Sequence, residues 1–189
     1  MTDNILPRGT PLLSDPITIG NELDYHQARV LILINAFAGN RRSTLRGLTK
    51  LAKLDFLLRY PHFMERLLPG GAEGWTDETR PIEAEYRAVE SRVVRYKYGP
   101  WDDRYYPILG ALVGRGLITY SAYDSGIIFG LTETGRQIAS ALAREPTWKV
   151  VAARASLLHK YFNFTGNRLK TMIYTNLPDA VDRPWRSEI

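Results

Sequence analysis

The spacing of apolar and polar positions predicts a mainly helical chain with a few short strands. Helical spacing of apolar residues is found in 22–38, 44–60, 62–68, 82–93, 102–115, 132–143, 147–162 and 167–177. Shorter runs typical of strands lie at 93–98, 117–122 and 126–131, and the turn "YDSG" joins the last two into a hairpin. The pattern therefore indicates a mainly α (α+β) fold.

Local signals set the limits of several of these segments. Ser43 or Thr44 is placed to cap the second helix, which we expect to end before Pro61. The Gly99–Pro100 pair is expected to end the first strand. Thr132 is expected to cap the helix that follows the hairpin.

The order helix, helix, strand, helix, hairpin, helix is that of a winged helix-turn-helix domain, with the small β-hairpin as its wing. We predict an extended N-terminal arm at 1–20 and a winged-helix domain at 21–145 that carries a helical insert at 61–92. Residues 146–189 would add extra C-terminal helices and a tail.

Composition and charge exclude some classes of protein. The 189 residues include no cysteine, which rules out disulfides and zinc–thiolate sites and fits the reducing cytoplasm, where we expect the protein. We expect neither a signal peptide nor a membrane span, since no apolar run is long enough. The net charge of +5 is uneven, because 61–90 is acidic while its flanks are basic. Such basic flanks suit nucleic acid or an acidic protein partner.

Asp102 and Asp103 form an adjacent acidic pair that raises the question of catalysis. A general acid–base pair needs two different environments, but adjacent residues at a helix start are both expected to be solvated. Capping of the helix at 102–115 is the simpler role, and catalysis is the alternative. His26, His62 and His159 lack the spacing of metal ligands. We therefore predict no catalytic residue, no metal site and no cofactor.

The helix at 102–115 is in the position of a recognition helix, yet it is poorly equipped to read DNA. Its only basic residues are Arg104 and Arg115, and 116–135 contains no Lys or Arg. Readers of DNA bring polar and basic side chains to base edges and phosphates. A DNA-binding winged-helix transcriptional regulator is therefore our second hypothesis rather than our first.

Positive charge is concentrated on the second helix. At 100° per residue, Arg46, Lys50 and Lys53 fall on one face, and Arg42 extends this stripe if the helix begins early. The stripe can be a track for phosphates, a contact for an acidic partner or a solvated helix face.

On the opposite, apolar face of the same helix lie Asp55 and Arg59, in the favoured i, i+4 order of an ion pair. A charged pair within an apolar face requires that both charges find partners. We predict a structural ion pair inside the protein, with a contact to another subunit as the alternative.

Aromatic residues surround the turn before the helix at 102–115. They are Tyr96, Tyr98, Trp101, Tyr105 and Tyr106. Together with Arg95, Lys97 and Arg104 they can stack on single-stranded bases or form a protein interface. Packing on the core is the third interpretation for at least half of them.

Four stretches resemble the winged-helix middle component of ABC-three-component bacterial conflict systems, which are related to Lamassu anti-phage defence. They are "LTKLAKLDFLLRYP" (48–61), "VVRYKYGPWDDRYY" (93–106), "GLTETGR" (130–136) and "LLHKYFNFTGNRLKTMIY" (157–174). The third stretch is common to many winged-helix domains.

The resemblance implies a non-catalytic scaffold or regulatory subunit. Its partners would be an SMC/Rad50-like ABC ATPase, present as a dimer, and an effector subunit such as a nuclease. The resemblance further implies that DNA is met through the complex, with no membrane partner. It supplies no site residues for this chain.

Overall fold

The computed structural model describes residues 23–38, 44–87, 94–96, 99–124 and 126–181. Within these ranges the chain is mainly helical and carries a small three-stranded antiparallel sheet and a two-stranded ribbon. The predicted arm at 1–20 lies outside them. The helices are α1 (Leu23–Ala38), α2 (Leu48–Arg59), α3 (Pro61–Leu67), α4 (Glu83–Arg87), α5 (Tyr105–Gly114), α6 (Glu133–Leu142), α7 (Pro146–Phe162), α8 (Gly166–Asn176) and α9 (Pro178–Val181).

Two antiparallel units contain the strands. They are β1 (Leu45–Arg46), β2 (Val94–Tyr96), β3 (Gly99–Trp101), β4 (Ile118–Tyr123) and β5 (Gly126–Leu131). The three-stranded sheet has the order β1-β5-β4, and β2 pairs with β3. Phe129 is at the centre of the sheet, opposite Leu45 on one side and Tyr120 on the other. The predicted hairpin is therefore confirmed.

Helix α1 is the centre of the core. Val30–Ile34 are buried without interruption, so this part of the helix is apolar around its whole circumference. This is possible because α5, α6 and α7 all contact it. The C-terminal helices thus pack on the same core as the helices and sheet that precede them.

The second helix begins later than its apolar pattern predicts. Thr44 does not cap it, because Leu45 and Arg46 first form β1, and Ser43 is outside the described residues. Gly47 separates strand from helix with a φ of 92°, in the left-handed region that favours glycine. Its N–H donates to the carbonyl of Ile127 (2.7 Å), which fixes the break against the hairpin.

The segment before α5 contains one strand more than predicted. The strand β2 ends at Tyr96, before Gly99, and Gly99 and Pro100 themselves belong to the unpredicted strand β3, opposite Tyr96 and Arg95. Proline is compatible with a ribbon edge, where its missing N–H is not needed. Pro107 is the third residue of α5, within the first turn, whose N–H groups have no partner inside the helix.

The predicted cap of α6 is confirmed. The hydroxyl of Thr132 accepts the N–H of Gly135 (2.9 Å) and donates to the carbonyl of Gly116 (2.7 Å). A Cβ at Gly135 would be 1.8 Å from the carbonyl oxygen of Leu117, so only glycine fits. Thr132 and Gly135 of the stretch "LTETGR" are thus explained by the close packing of the start of α6 against the residues just before β4.

Candidate functional site

A buried network of charged and polar side chains joins α1, α2 and the turn before α5. Its members are His26, Arg29, Asp55, Arg59, Asp102, Arg104 and Tyr105. All except Arg104 are buried. Burying charge is costly unless it is paired, so the partners decide whether this network stabilises the fold.

Asp55 is fully buried and has two partners from other elements. The guanidinium of Arg29 binds both carboxylate oxygens, at 2.8 and 3.1 Å, and the hydroxyl of Tyr105 donates to Oδ2 at 2.8 Å. Burial would raise the pKa of Asp55, but the charge and hydrogen bonds of Arg29, together with the charge of Arg59, lower it. Asp55 is therefore a carboxylate that links α1, α2 and α5.

Arg59, the residue predicted to pair with Asp55, bridges to Asp102 across 43 positions of sequence. Its Nη1 is 2.8 Å from Oδ2 of Asp102. The two predicted partners therefore act within one network, which is larger than the pair that the helix pattern indicates. Its additional members come from distant parts of the chain.

The two adjacent aspartates have different surroundings, contrary to the expectation that both are solvated. Asp102 is buried and binds Arg59 and Arg104, and its Oδ1 accepts the backbone N–H of Arg104 (3.0 Å). Burial would raise its pKa, but the hydrogen bonds of Arg104 and the charge of Arg59 lower it to about 2. Asp103 is exposed and accepts the indole N–H of Trp101 (2.9 Å).

Asp102 is therefore held as an anion by its ion pairs. Its bond to the N–H of Arg104 lies in the turn before α5, whereas the N-cap residue of α5 is Arg104, which makes no side-chain capping bond. A general acid would need a raised pKa, and these partners act in the opposite direction. The geometry favours a structural role for Asp102 over a catalytic one.

His26 is enclosed between two arginines. Its Nδ1 is 2.9 Å from Nη1 of Arg29, and its Nε2 is 2.7 Å from Nη1 of Arg104. Burial and then the charges of Arg29 and Arg104 lower the pKa of His26 to about 3. The ring is therefore neutral at ordinary pH. A neutral imidazole accepts at only one nitrogen, so only one of these arginines is a true donor to it.

The predicted basic stripe is not a single exposed helix face. Arg46 lies on β1 with its guanidinium over the ring of Tyr123, 5.1 Å from the centroid. Lys50 is half-buried and donates to Oδ1 of Asn163 (2.8 Å). Lys53 is only 2% exposed and donates to the carbonyl of Thr49. The solvated-face interpretation is thus wrong for Lys53, because α7 and α8 pack against α2.

The remaining predicted residues are dispersed. Arg42 and Lys97 are outside the described residues, and Arg95 is described only as a backbone position of β2. Trp101 makes edge contacts with Tyr105 and Tyr106. Arg104 belongs to the buried network. As predicted for part of the aromatic group, Tyr105 packs in the core.

The outer face of α5 carries no charged side chain between its two ends. Tyr106 is 65% exposed, and Pro107, Gly110 and Gly114 are exposed beside it. A Cβ at either glycine would meet no atom of the described ranges within 4 Å, so the space beside both is open there. Arg115, which follows the helix, pairs with Asp24 at 3.0 Å.

Sequence reasoning missed the anchor of the acidic insert. Arg154 of α7 is buried and binds Glu85 through both oxygens, at 2.6 and 2.9 Å, and the carbonyl of Thr79 at 2.9 Å. Glu65 accepts the indole N–H of Trp75 (2.6 Å) within the same insert. In the sequence, Arg154 cannot be distinguished from a solvent-exposed arginine on an amphipathic helix. The one sequence signal for a basic partner is the excess of acidic residues in 61–90.

The described ranges contain no group of three potential metal ligands. In the same ranges, every helix is too short or too polar to cross a bilayer. Comparisons with models of protein families, with curated proteins and with solved structures find no significant match.

Proposed function

We propose that the chain is a winged helix-turn-helix protein with an insert and a C-terminal helical extension. The support is the succession α1, β1, α2, α5, β4, β5 together with the sheet order β1-β5-β4, in which the first short strand pairs with the second strand of the hairpin. The order expected from the sequence has its first strand at 93–98, after the second helix, whereas β1 lies between α1 and α2. In this proposal β4 and β5 are the wing. The insert occupies the connection between α2 and α5.

We further propose that it is a non-catalytic scaffold or regulatory subunit of an anti-phage defence complex. The observation that carries this proposal is the outer face of α5. A recognition helix reads bases with Arg, Lys, Asn or Gln, whereas this face offers Tyr106, Pro107 and two glycines. A face of this kind suits close packing against another protein.

The resemblance to the middle component of ABC-three-component systems supplies the identity of the proposed partners. Two of the stretches that carry it contribute to the buried network: 48–61 provides Asp55 and Arg59, and 93–106 provides Asp102, Arg104 and Tyr105. On this proposal the resemblance reflects a shared way of joining α1, α2 and α5. The partners would be an SMC/Rad50-like ABC ATPase and an effector subunit, such as a nuclease, in the cytoplasm.

A tagged pull-down, treated with nuclease and identified by mass spectrometry, tests the proposal. Recovery of an ATPase with a long coiled coil and of a second protein is expected. Gly110→Glu places a charge in the open space on α5 and should abolish recovery of a partner, while Ser140→Glu on the exposed side of α6 should not. The proposal fails if the wild-type protein is recovered alone or only through DNA.

One observation favours the alternative, a DNA-binding winged-helix regulator. The hairpin has no basic residue of its own, but β1 brings Arg46 beside it, against Tyr123. A cation at the wing can contact a phosphate. Selection of bound duplexes from a random pool distinguishes the two functions, because a regulator enriches one sequence and a scaffold does not.

A further inference from the structure

The corner between α7 and α8 packs against the first turn of α2. Lys50 of α2 donates to Asn163, which lies in the connection between α7 and α8. A Cβ at Gly166, the first residue of α8, would lie 3.5 Å from Oγ1 of Thr49 and 3.7 Å from Cβ of Lys50. Three helix ends therefore meet at one place on the surface.

Basic side chains surround this corner. Lys160 and Arg168 lie within five residues of Asn163, and both are exposed. Lys170 follows on α8, near enough to Lys53 for the two charges to repel each other. Segment 146–178 contains no Asp or Glu at all. The next acidic residue, Asp179, pairs with Arg66 of α3 at 2.7 Å.

The fold keeps these cations together at a cost. Burial and the charge of Lys170 lower the pKa of Lys53 to about 8, and burial also lowers the pKa of Lys50. The guanidinium of Arg168 lies over the ring of Phe164, 3.8 Å from its centroid. An anion bound at the corner would reduce the repulsion between Lys53 and Lys170.

The polar residues of the corner favour the backbone of a nucleic acid over an acidic protein. Protein interfaces have an apolar centre, but 151–181 contains none of the large exposed apolar side chains of the described chain. The corner instead exposes Asn163, Thr165, Asn167 and Thr171. Lys, Arg, Asn and Thr side chains with a helix N-terminus supply most contacts to phosphates and sugars.

We infer that the corner formed by Lys50, Lys160, Arg168 and Lys170 binds the phosphodiester backbone of duplex nucleic acid without regard to sequence. This surface combines Lys50 of α2 with three cations of the C-terminal extension, and it is built from different elements than the outer face of α5 and the hairpin. The inference goes beyond the proposed scaffold function and does not depend on it, because it requires neither the ATPase nor the effector.

Fluorescence anisotropy of the full chain with a labelled 20-base-pair DNA duplex, in a salt series, tests the inference. The variant Lys160→Gln/Arg168→Gln/Lys170→Gln removes three cations. Each phosphate contact contributes about 0.9 to the slope of log affinity against log salt, so the slope should fall by about 2.7. Between 50 and 200 mM salt the wild-type protein should therefore lose about 40-fold more affinity than the variant.

A control variant with the same change in net charge is Arg115→Gln/Arg144→Gln/Lys149→Gln, whose residues are exposed elsewhere on the chain. It should keep the wild-type slope. Equal losses in both variants, or no binding by the wild-type protein, would overturn the inference. Displacement of the duplex by polyglutamate of matched charge at equal concentration would also overturn the inference, because it would indicate an acidic protein as the partner.

A second measurement needs no variant and remains valid if the triple variant does not fold. Lysine acetylation of the wild-type chain, read by mass spectrometry, should be slowed by the duplex at Lys160 and Lys170. Exposed Lys149, at the other end of α7, should react at the same rate with and without DNA. Protection at Lys149 alone would refute the assignment. These outcomes are independent of the pull-down, which tests the proposed protein partners.

Discussion

Replacement of Asp55 tests whether the buried network holds the three helices together. Asp55→Ala leaves Arg29 buried without its bidentate partner and removes the acceptor of the Tyr105 hydroxyl. Removal of one member of a buried ion pair costs about 3–5 kcal/mol, because the other charge is left without compensation. For a chain of this length that loss lowers Tm by roughly 6–20 °C.

Urea denaturation followed by circular dichroism measures this loss as a change in the free energy of unfolding. Asp77→Ala, in an exposed turn, is the control and should change it by less than about 0.5 kcal/mol. The double variant Arg29→Met/Asp55→Leu removes both charges and should regain most of the stability. A loss below about 1 kcal/mol in Asp55→Ala would refute the reasoning, since a fully buried and essential carboxylate cannot be removed so easily.

Three further predictions concern single residues. The folded-state pKa of His26 is lowered from 6.5 to about 3, so the stability that is present above pH 6.5 is lost as the pH falls. By pH 5 the free energy of unfolding should have fallen by about 2 kcal/mol. This loss should be absent in thermal melts of His26→Gln. The folded-state pKa of Lys53 is lowered from 10.5 to about 8, so the free energy of unfolding should rise as the pH increases from 8 to 10.5. The variant Lys53→Met should have a higher Tm at pH 7 and should not show this rise. An unchanged or lower Tm would contradict the burial of the charge. Gly110→Ala should add about 1 kcal/mol to the free energy of unfolding, because alanine favours the helix and meets no neighbour there; destabilisation in urea would show that the site is not open.

Much of the secondary structure follows from local features of the sequence. The apolar periodicity of 22–38 gives α1, and Thr132 caps α6 as its side chain and position predict. These features act over a few residues, and so they can be recognised without knowledge of the rest of the chain. The exceptions are β1 and β3, which need a partner strand to exist: Leu45 pairs with Phe129, far along the sequence.

The buried network was only partly predictable. Asp55 and Arg59 attract notice because charges interrupt the apolar face of a helix. Nothing in the sequence assigns Arg29 to Asp55 or Asp102 to Arg59, because these partners are separated by 26 and 43 positions. Ion pairs between elements depend on how the helices pack, and that packing is a property of the whole chain.

The sequence by itself determined the helices, the hairpin and an excess of positive charge, since each depends on the order and kind of neighbouring residues. Only the tertiary structure decided which cations face the solvent. A helical projection places Lys50 and Lys53 on one polar face, but α7 and α8 cover that face and leave Lys53 buried. Exposure depends on what packs against a helix, and so the basic surface lies around Lys160 and Arg168, which are both exposed among the described residues.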